Sequence, residues 1–226
     1  MAAALTLNQS TIGKKAIMAV TGIVLYGFVI VHMIGNLKIF EGPEGFNAYS
    51  HFLRVVGEPA LPAGTILWVI RIVLLVSLVL HVRAAIQLTL LDNAGRPIAY
   101  KKVQRKQASF ASLTLRWGGM AIFFFVIYHL LHFTVGTALP GFIEGDPYQN
   151  VINGFANQVW AAPVYILAVA ALGTHLYHGV WSAMQTLGLN TRRTEKLFRG
   201  LAVLSGIVLF AGFSTVPIVV LLGILK

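Results

Sequence analysis

The sequence predicts an all-α integral membrane protein, a bundle of five transmembrane helices. Three observations predict it. Hydrophobic residues make up 57% of the 226 residues, charged residues only 11%, and mean hydropathy is +0.78. A soluble domain carries about 25% charged residues, and a chain with so few cannot cover a water-facing surface. The apolar residues also gather into five continuous runs, each long enough to cross a hydrocarbon core of about 30 Å. Because the runs are continuous rather than alternating, membrane strands are not expected.

The expected helices cover residues 15–40, 63–91, 113–139, 159–187 and 198–225 of a single membrane-anchor domain, residues 1–226. The first run follows Lys14 and Lys15 and is long enough to span. No small-residue cleavage site of the usual kind follows it, so it reads as a retained helix rather than a signal peptide. Between the first two spans, residues 43–57 set Phe46, Tyr49, Phe52, Leu53 and Val56 at helical spacing. That pattern predicts an amphipathic helix lying on one membrane face. The second span holds Arg71 in its outer part and Arg83 near its exit. Residues 141–157, polar and rich in Gly and Asn, read as a loop with one short helix between the third and fourth spans. The chain shows no internal repeat.

Charge placement predicts orientation. Lys14, Lys15, Arg83, Arg96, Lys101, Lys102, Arg105, Lys106, Arg116, Arg192, Arg193, Lys196 and Arg199 fall on one side of the alternating spans, 13 of the 17 basic residues. Glu41, Glu44, Glu58, Glu144 and Asp146, five of the seven acids, fall on the other. By the positive-inside rule the N-terminus is cytoplasmic and the C-terminus outside. The formal net charge of +10 is therefore a topology signal rather than a nucleic-acid footprint. It also offers a docking surface to an acidic cytoplasmic partner. Cysteine is absent, which removes disulfides, iron–sulfur ligation by this chain and covalent c-type haem attachment.

Four histidines, His32, His81, His129 and His175, sit deep in four different spans. An imidazole in hydrocarbon is costly and marks a functional site by default. One alone reads as an interhelical hydrogen bond; four at comparable depth point to a shared buried partner. Haem iron accepts imidazole nitrogens from opposed helices in a dry interior, two per iron. Four histidines give room for two haems, held without a covalent link.

At about 1.5 Å per helical residue, His32 lies outermost and His81 innermost, so these two do not share an iron. Depth does not assign His129 and His175. Each has a second histidine three positions on, His132 and His178, on a similar helix face. By depth alone His132 suits His32 and His178 suits His81, so both pairs stay open. Gly22, Gly27, Gly35, Gly118, Gly119, Gly173 and Gly179 flank the histidines. They read equally as room for a flat macrocycle and as ordinary small-residue packing. Arg71 could meet an outer haem propionate or a quinone headgroup. Arg83 and Arg116 could serve an inner haem, with snorkelling the simpler fate of Arg83. His51, in the outer amphipathic segment, reads either as a solvated histidine or as a proton-handling group.

The chain resembles the cytochrome b subunit of succinate:quinone oxidoreductases (succinate dehydrogenase and fumarate reductase), in its single-chain, five-helix, dihaem form. The resemblance rests on residues 27–36 around His32, residues 46–52 around His51, Val79-Leu80-His81, Tyr128-His129, and residues 175–182 beginning His175-Leu176-Tyr177-His178. It implies axial ligands at His32, His81, His129 and His175, pairing His81 with His175 on the cytoplasmic side and His32 with His129 on the outer side. His132 and His178 depart from the plainer family pattern and remain the alternatives. The resemblance further implies two haem b groups and a multi-pass subunit of the bacterial cytoplasmic membrane. This subunit anchors a flavoprotein with FAD and an iron–sulfur subunit on the cytoplasmic face, with oligomers of the complex possible. Electrons would reach a quinone, menaquinone by analogy. No succinate chemistry would occur in this chain. An outer quinone site would draw on His51, Glu58 and Arg71. The rival class is a cytochrome b anchor of a hydrogenase or formate dehydrogenase. A proton-relay transporter is disfavoured by the scarcity of acids within the spans.

Overall fold

The computed structural model describes residues 10–95 and 110–226. The basic residues Arg96, Lys101, Lys102, Arg105 and Lys106, counted in the orientation argument, lie outside the described residues. Among the described residues there are seven α-helices and no strand: α1 (Thr11–Leu37), α2 (Gly42–Val55), α3 (Thr65–Ala94), α4 (Phe110–Phe133), α5 (Pro147–Ala156), α6 (Ala161–Thr186) and α7 (Glu195–Leu221). Five of them, α1, α3, α4, α6 and α7, are long and apolar enough to cross a membrane.

Local chemistry sets the helix ends. Ser10 caps α1, its Oγ accepting the Gly13 N–H at 3.0 Å. A short 3₁₀ turn, Lys38–Glu41, and Gly42 at φ 85° swing the chain into α2, with Pro43 in its first turn. Asp146 caps α5 by accepting the Gln149 N–H at 3.0 Å. The third span ends at Phe133, six residues short of the expected Leu139. The segment after it stays apolar, but Gly136 takes φ 83° and the Ala138 N–H turns back to the Leu131 carbonyl at 3.1 Å. Periodicity cannot see such a turn, because hydropathy does not change there.

Both predicted interfacial segments are helical. The amphipathic α2 and the short α5 close one end of the bundle and are tied together by Asn47. Its Nδ2 donates to Asp146 Oδ1 at 2.9 Å, and its Oδ1 accepts the Tyr148 N–H at 3.0 Å. Beneath them Ile39, Phe46, Tyr148, Ile152, Phe155, Ala161, Ala162, Tyr165, Val216 and Val220 form the larger apolar core. A smaller core, Met33, Leu176 and Leu209, joins α1, α6 and α7 lower down.

The spans make an incomplete ring. α1 packs on α3 and on α6, and α4 packs on α6, whereas α3 and α4 scarcely touch. The pairs α1–α4 and α3–α6 therefore face each other across the interior. α7 lies outside this ring, against α6 and α1. Its backbone meets that of α6 at Gly206 and Gly173. A Cβ on Gly206 would stand 2.9 Å from the Gly173 carbonyl oxygen, and one on Gly173 would stand 3.1 Å from that of Gly206. Nearby, the Tyr26 hydroxyl bonds Ser205 Oγ, joining α1 to α7. α3 is apolar over most of its surface. Trp68, Leu75 and Val79 on it are 61%, 61% and 56% exposed, as expected where the solvent is lipid.

Candidate functional site

Each of the four ring helices brings one deep histidine to the interior, and the rings meet across the diagonals. His32 of α1 and His129 of α4 have ring centres 5.8 Å apart, with planes at 76°. His81 of α3 and His175 of α6 have centres 6.3 Å apart, with planes at 62°. His81 packs beside Thr21 and Gly22 on α1. His32 lies ten positions beyond Gly22 on the same helix, so the two layers are roughly 15 Å apart along the bundle.

The second histidines go elsewhere. His132 is wholly buried and turns away from His32, into an aromatic cluster with Tyr128, Phe133, Phe155 and Tyr165. His178 makes no ring contact with His81, and His175 does. Depth alone pairs His132 with His32 and His178 with His81. The structure brings His129 and His175 to those partners instead, because three helical positions turn a side chain by about 300° and lower it by about 4.5 Å, so depth and direction change together.

The surroundings of the two layers differ. Nδ1 of His81 lies 3.1 Å from the Met18 carbonyl oxygen, to which it can donate, and 3.3 Å from Thr21 Oγ1. Its ring is flanked by Gly22, whose Cβ would come within 3.2 Å of Cε1. Gly119 stands likewise beside His175, at 3.5 Å from Cε1. Nδ1 of His175 is buried without a hydrogen bond of normal geometry, although the Leu115 backbone lies close by. In the other layer Tyr165 reaches two histidines at once. Its hydroxyl is 3.2 Å from His129 Nδ1 and 3.0 Å from His132 Nδ1. Phe125 and Phe28 stack on His129 and His32, at 5.9 and 5.2 Å between ring centres. Of the glycines, Gly22 and Gly119 border imidazole rings. Gly173 meets α7 and Gly35 meets Tyr49, which is plain helix packing.

The sequence does not reveal Tyr165 as part of this site, nor Gln158, whose side chain neighbours His132. Tyr165 lies 36 residues from His129, and a lone Tyr near the start of an apolar span reads as an interface residue. The arginines lie outside the interior. Arg71 is exposed on α3 with its guanidinium 5.0 Å from the Trp68 ring centre. Arg116 pairs with Asp92 at 2.7 Å on the exposed flank between α4 and α3. Arg83 lines a small cleft of about 150 Å³ with Lys14 and Gln87. His51 and Glu58 are exposed on and just after α2, and no bond joins either to Arg71.

A model of the family "Succinate dehydrogenase/Fumarate reductase transmembrane subunit" matches residues 99–214, just over half of the chain. The chain belongs to that family. No curated protein and no solved structure matches it. The family match spans α4 to most of α7 and so includes His129, His132, His175 and His178. His32 and His81 lie before it. As a succinate dehydrogenase/fumarate reductase transmembrane subunit, the chain is a multi-pass membrane protein with the cytochrome b character of that family.

Proposed function

We propose that this subunit is a dihaem cytochrome b anchor. It carries electrons from an iron–sulfur partner, itself fed by an FAD flavoprotein, to a quinone. The observation that supports it is the pairing of four intramembrane imidazoles into two facing couples at 5.8 and 6.3 Å. Two imidazoles facing across one metal ion, with about 2 Å of bond on each side, hold their ring centres roughly 6 Å apart. The donor set fits as well. The glycines beside His81 and His175 let these imidazoles seat close against the backbones of α1 and α4, and α3 and α4 make few contacts with each other among the described residues.

His81 and His175 would hold one group and His32 and His129 the other. Bound haem b would supply a reversible one-electron couple whose potential follows ligand basicity, burial and nearby charge. The chain's own residues then do three things. Met18, through its carbonyl, fixes the tautomer of His81 so that Nε2 faces inward. Phe28, Phe125 and the apolar helix faces exclude water. The exposed His51 and Glu58 handle protons for quinone at the outer face, and Arg71 snorkels beside Trp68 towards the headgroups. The cytoplasmic side is the end of Lys14 and Arg199, in a bacterial cytoplasmic membrane, and menaquinone is the quinone by analogy with the family.

A pyridine haemochrome assay with EPR on the purified complex tests the reading. Two low-spin b-type signals per copy are expected, and a folded, porphyrin-supplied complex without Soret absorption would overturn it. His51→Ala combined with Glu58→Gln should slow quinone reduction about 100-fold while both haems remain, the low end of the range usual for a lost general acid. An unchanged rate would remove these two residues from the quinone site.

A further inference from the structure

The second histidine of α4 sits in a cluster of buried polar groups that the dihaem reading leaves unused. We infer that Tyr165 and His132 form a directional hydrogen-bond chain that holds His129 with Nε2 free and sets the reduction potential of the outer centre. The inference rests on the dihaem reading above and assigns a role to residues which that reading leaves idle.

The direction follows from its far end. Gln158 Nε2 donates to the Ala138 carbonyl at 3.1 Å. A carbonyl accepts only, so the amide cannot be turned over, and Gln158 Oε1 is left facing the other way. That oxygen and His132 Nε2 are both buried without a fully formed hydrogen bond, and the two side chains neighbour each other. An acceptor oxygen there requires the proton of His132 on Nε2. Neutral His132 then accepts at Nδ1, so the Tyr165 hydroxyl, 3.0 Å away, must donate to it. Its oxygen is left to accept from His129 Nδ1–H at 3.2 Å. His129 therefore presents an unprotonated Nε2. Reversing the chain would place two acceptors face to face at Gln158 and would protonate His129 on the nitrogen that iron needs.

The same logic separates the two histidines of α4. Both nitrogens of His132 are taken up by the chain and its ring is wholly buried, whereas His129 keeps one free and faces His32. The two layers are also held differently. His81 leans on a backbone carbonyl, which no side-chain replacement removes. His129 leans on a phenol that is itself polarised by donating onward. A hydrogen bond from Nδ1–H to that oxygen makes the imidazole a stronger donor to an oxidised metal and so would lower its potential. Tyr165 and His132 are thus positioning residues acting through His129.

Redox titration and EPR of the whole complex test this. Tyr165→Phe keeps the ring among Phe125, Phe133 and Phe155 and removes only the hydroxyl. Two haems should remain. One of the two potentials should rise by about 59 mV, which is a tenfold shift in a one-electron equilibrium, while the other stays. His132→Phe should shift the same haem in the same direction by a smaller step. His132→Asn, whose Oδ1 replaces the Nδ1 acceptor, should return it towards the parent value. Two unmoved potentials in Tyr165→Phe would overturn the inference. Loss of a haem in His132→Asn would also overturn it, by making His132 a ligand. A parent complex without haem would instead bring down the underlying dihaem reading.

Discussion

Replacing His81 or His175 by alanine is expected to remove one haem of two and to stop electron delivery to quinone. The rings face each other across the α3–α6 diagonal with centres 6.3 Å apart, and no third imidazole contacts either ring. His178, three positions on, makes no ring contact with His81, so it cannot step in without a rotation of α6. Such a rotation is opposed by the close seat of Gly173 on Gly206. The loss should be larger than that for an outer-shell partner, which costs about 10- to 100-fold. Quinone reduction driven by succinate should therefore fall by more than about 100-fold. The haem-to-protein ratio should fall from two to one, with the surviving signal that of the His32–His129 layer. His178→Ala is the control, expected to keep both haems. Haemochrome content per copy and quinone reduction in membranes check both variants. A His175→Ala protein with two haems, beside a His178→Ala protein with one, would reverse the ligand assignment on α6.

The parts of this architecture that are local in sequence were legible in it. Continuous apolar runs gave the five spans. The spacing of Phe46, Tyr49 and Phe52 gave α2, and the Pro147–Ala156 helix falls inside the polar loop expected to hold one. The four deep histidines were visible as costly residues in hydrocarbon. Three features were not legible, each for a physical reason. The turn at Gly136 lies within apolar sequence, so hydropathy carries the third span past its true end. The different settings of His129 and His132 involve Tyr165 and Gln158, which are brought from another helix and its entry loop. Helical spacing cannot supply that information. The glycines near the histidines divided in a way composition could not foretell. Gly22 and Gly119 border imidazoles, whereas Gly173, two residues from His175, serves the contact with α7.

That last contact carries the second large prediction. Gly206→Leu is expected to detach α7 from α6 and, through α6, to disturb the His81–His175 layer. A Cβ at Gly206 would already stand 2.9 Å from the Gly173 carbonyl oxygen. Backbone cannot retreat as the end of a flexible side chain can. Membrane helices associate through close packing rather than a hydrophobic driving force, so once the backbones part, the contacts around them go as a set. Those contacts include the Tyr26–Ser205 hydrogen bond on the adjacent residue of α7 and the Met33, Leu176 and Leu209 core. Gly206→Ala should cost about 1–3 kcal/mol, the usual range for overpacking, and Gly206→Leu more. The site consequence follows from sequence distance. Gly173 lies two residues before His175, so displacement of α6 at the contact moves the imidazole of its own next half-turn. Thermal unfolding of the detergent-solubilised complex, followed by Soret absorbance, should show a lowered midpoint for Gly206→Ala and incomplete haem loading for Gly206→Leu. Equal midpoints for the parent and Gly206→Ala would mean that α7 can slide freely on α6, and the link from packing to the histidine layer would fail with it.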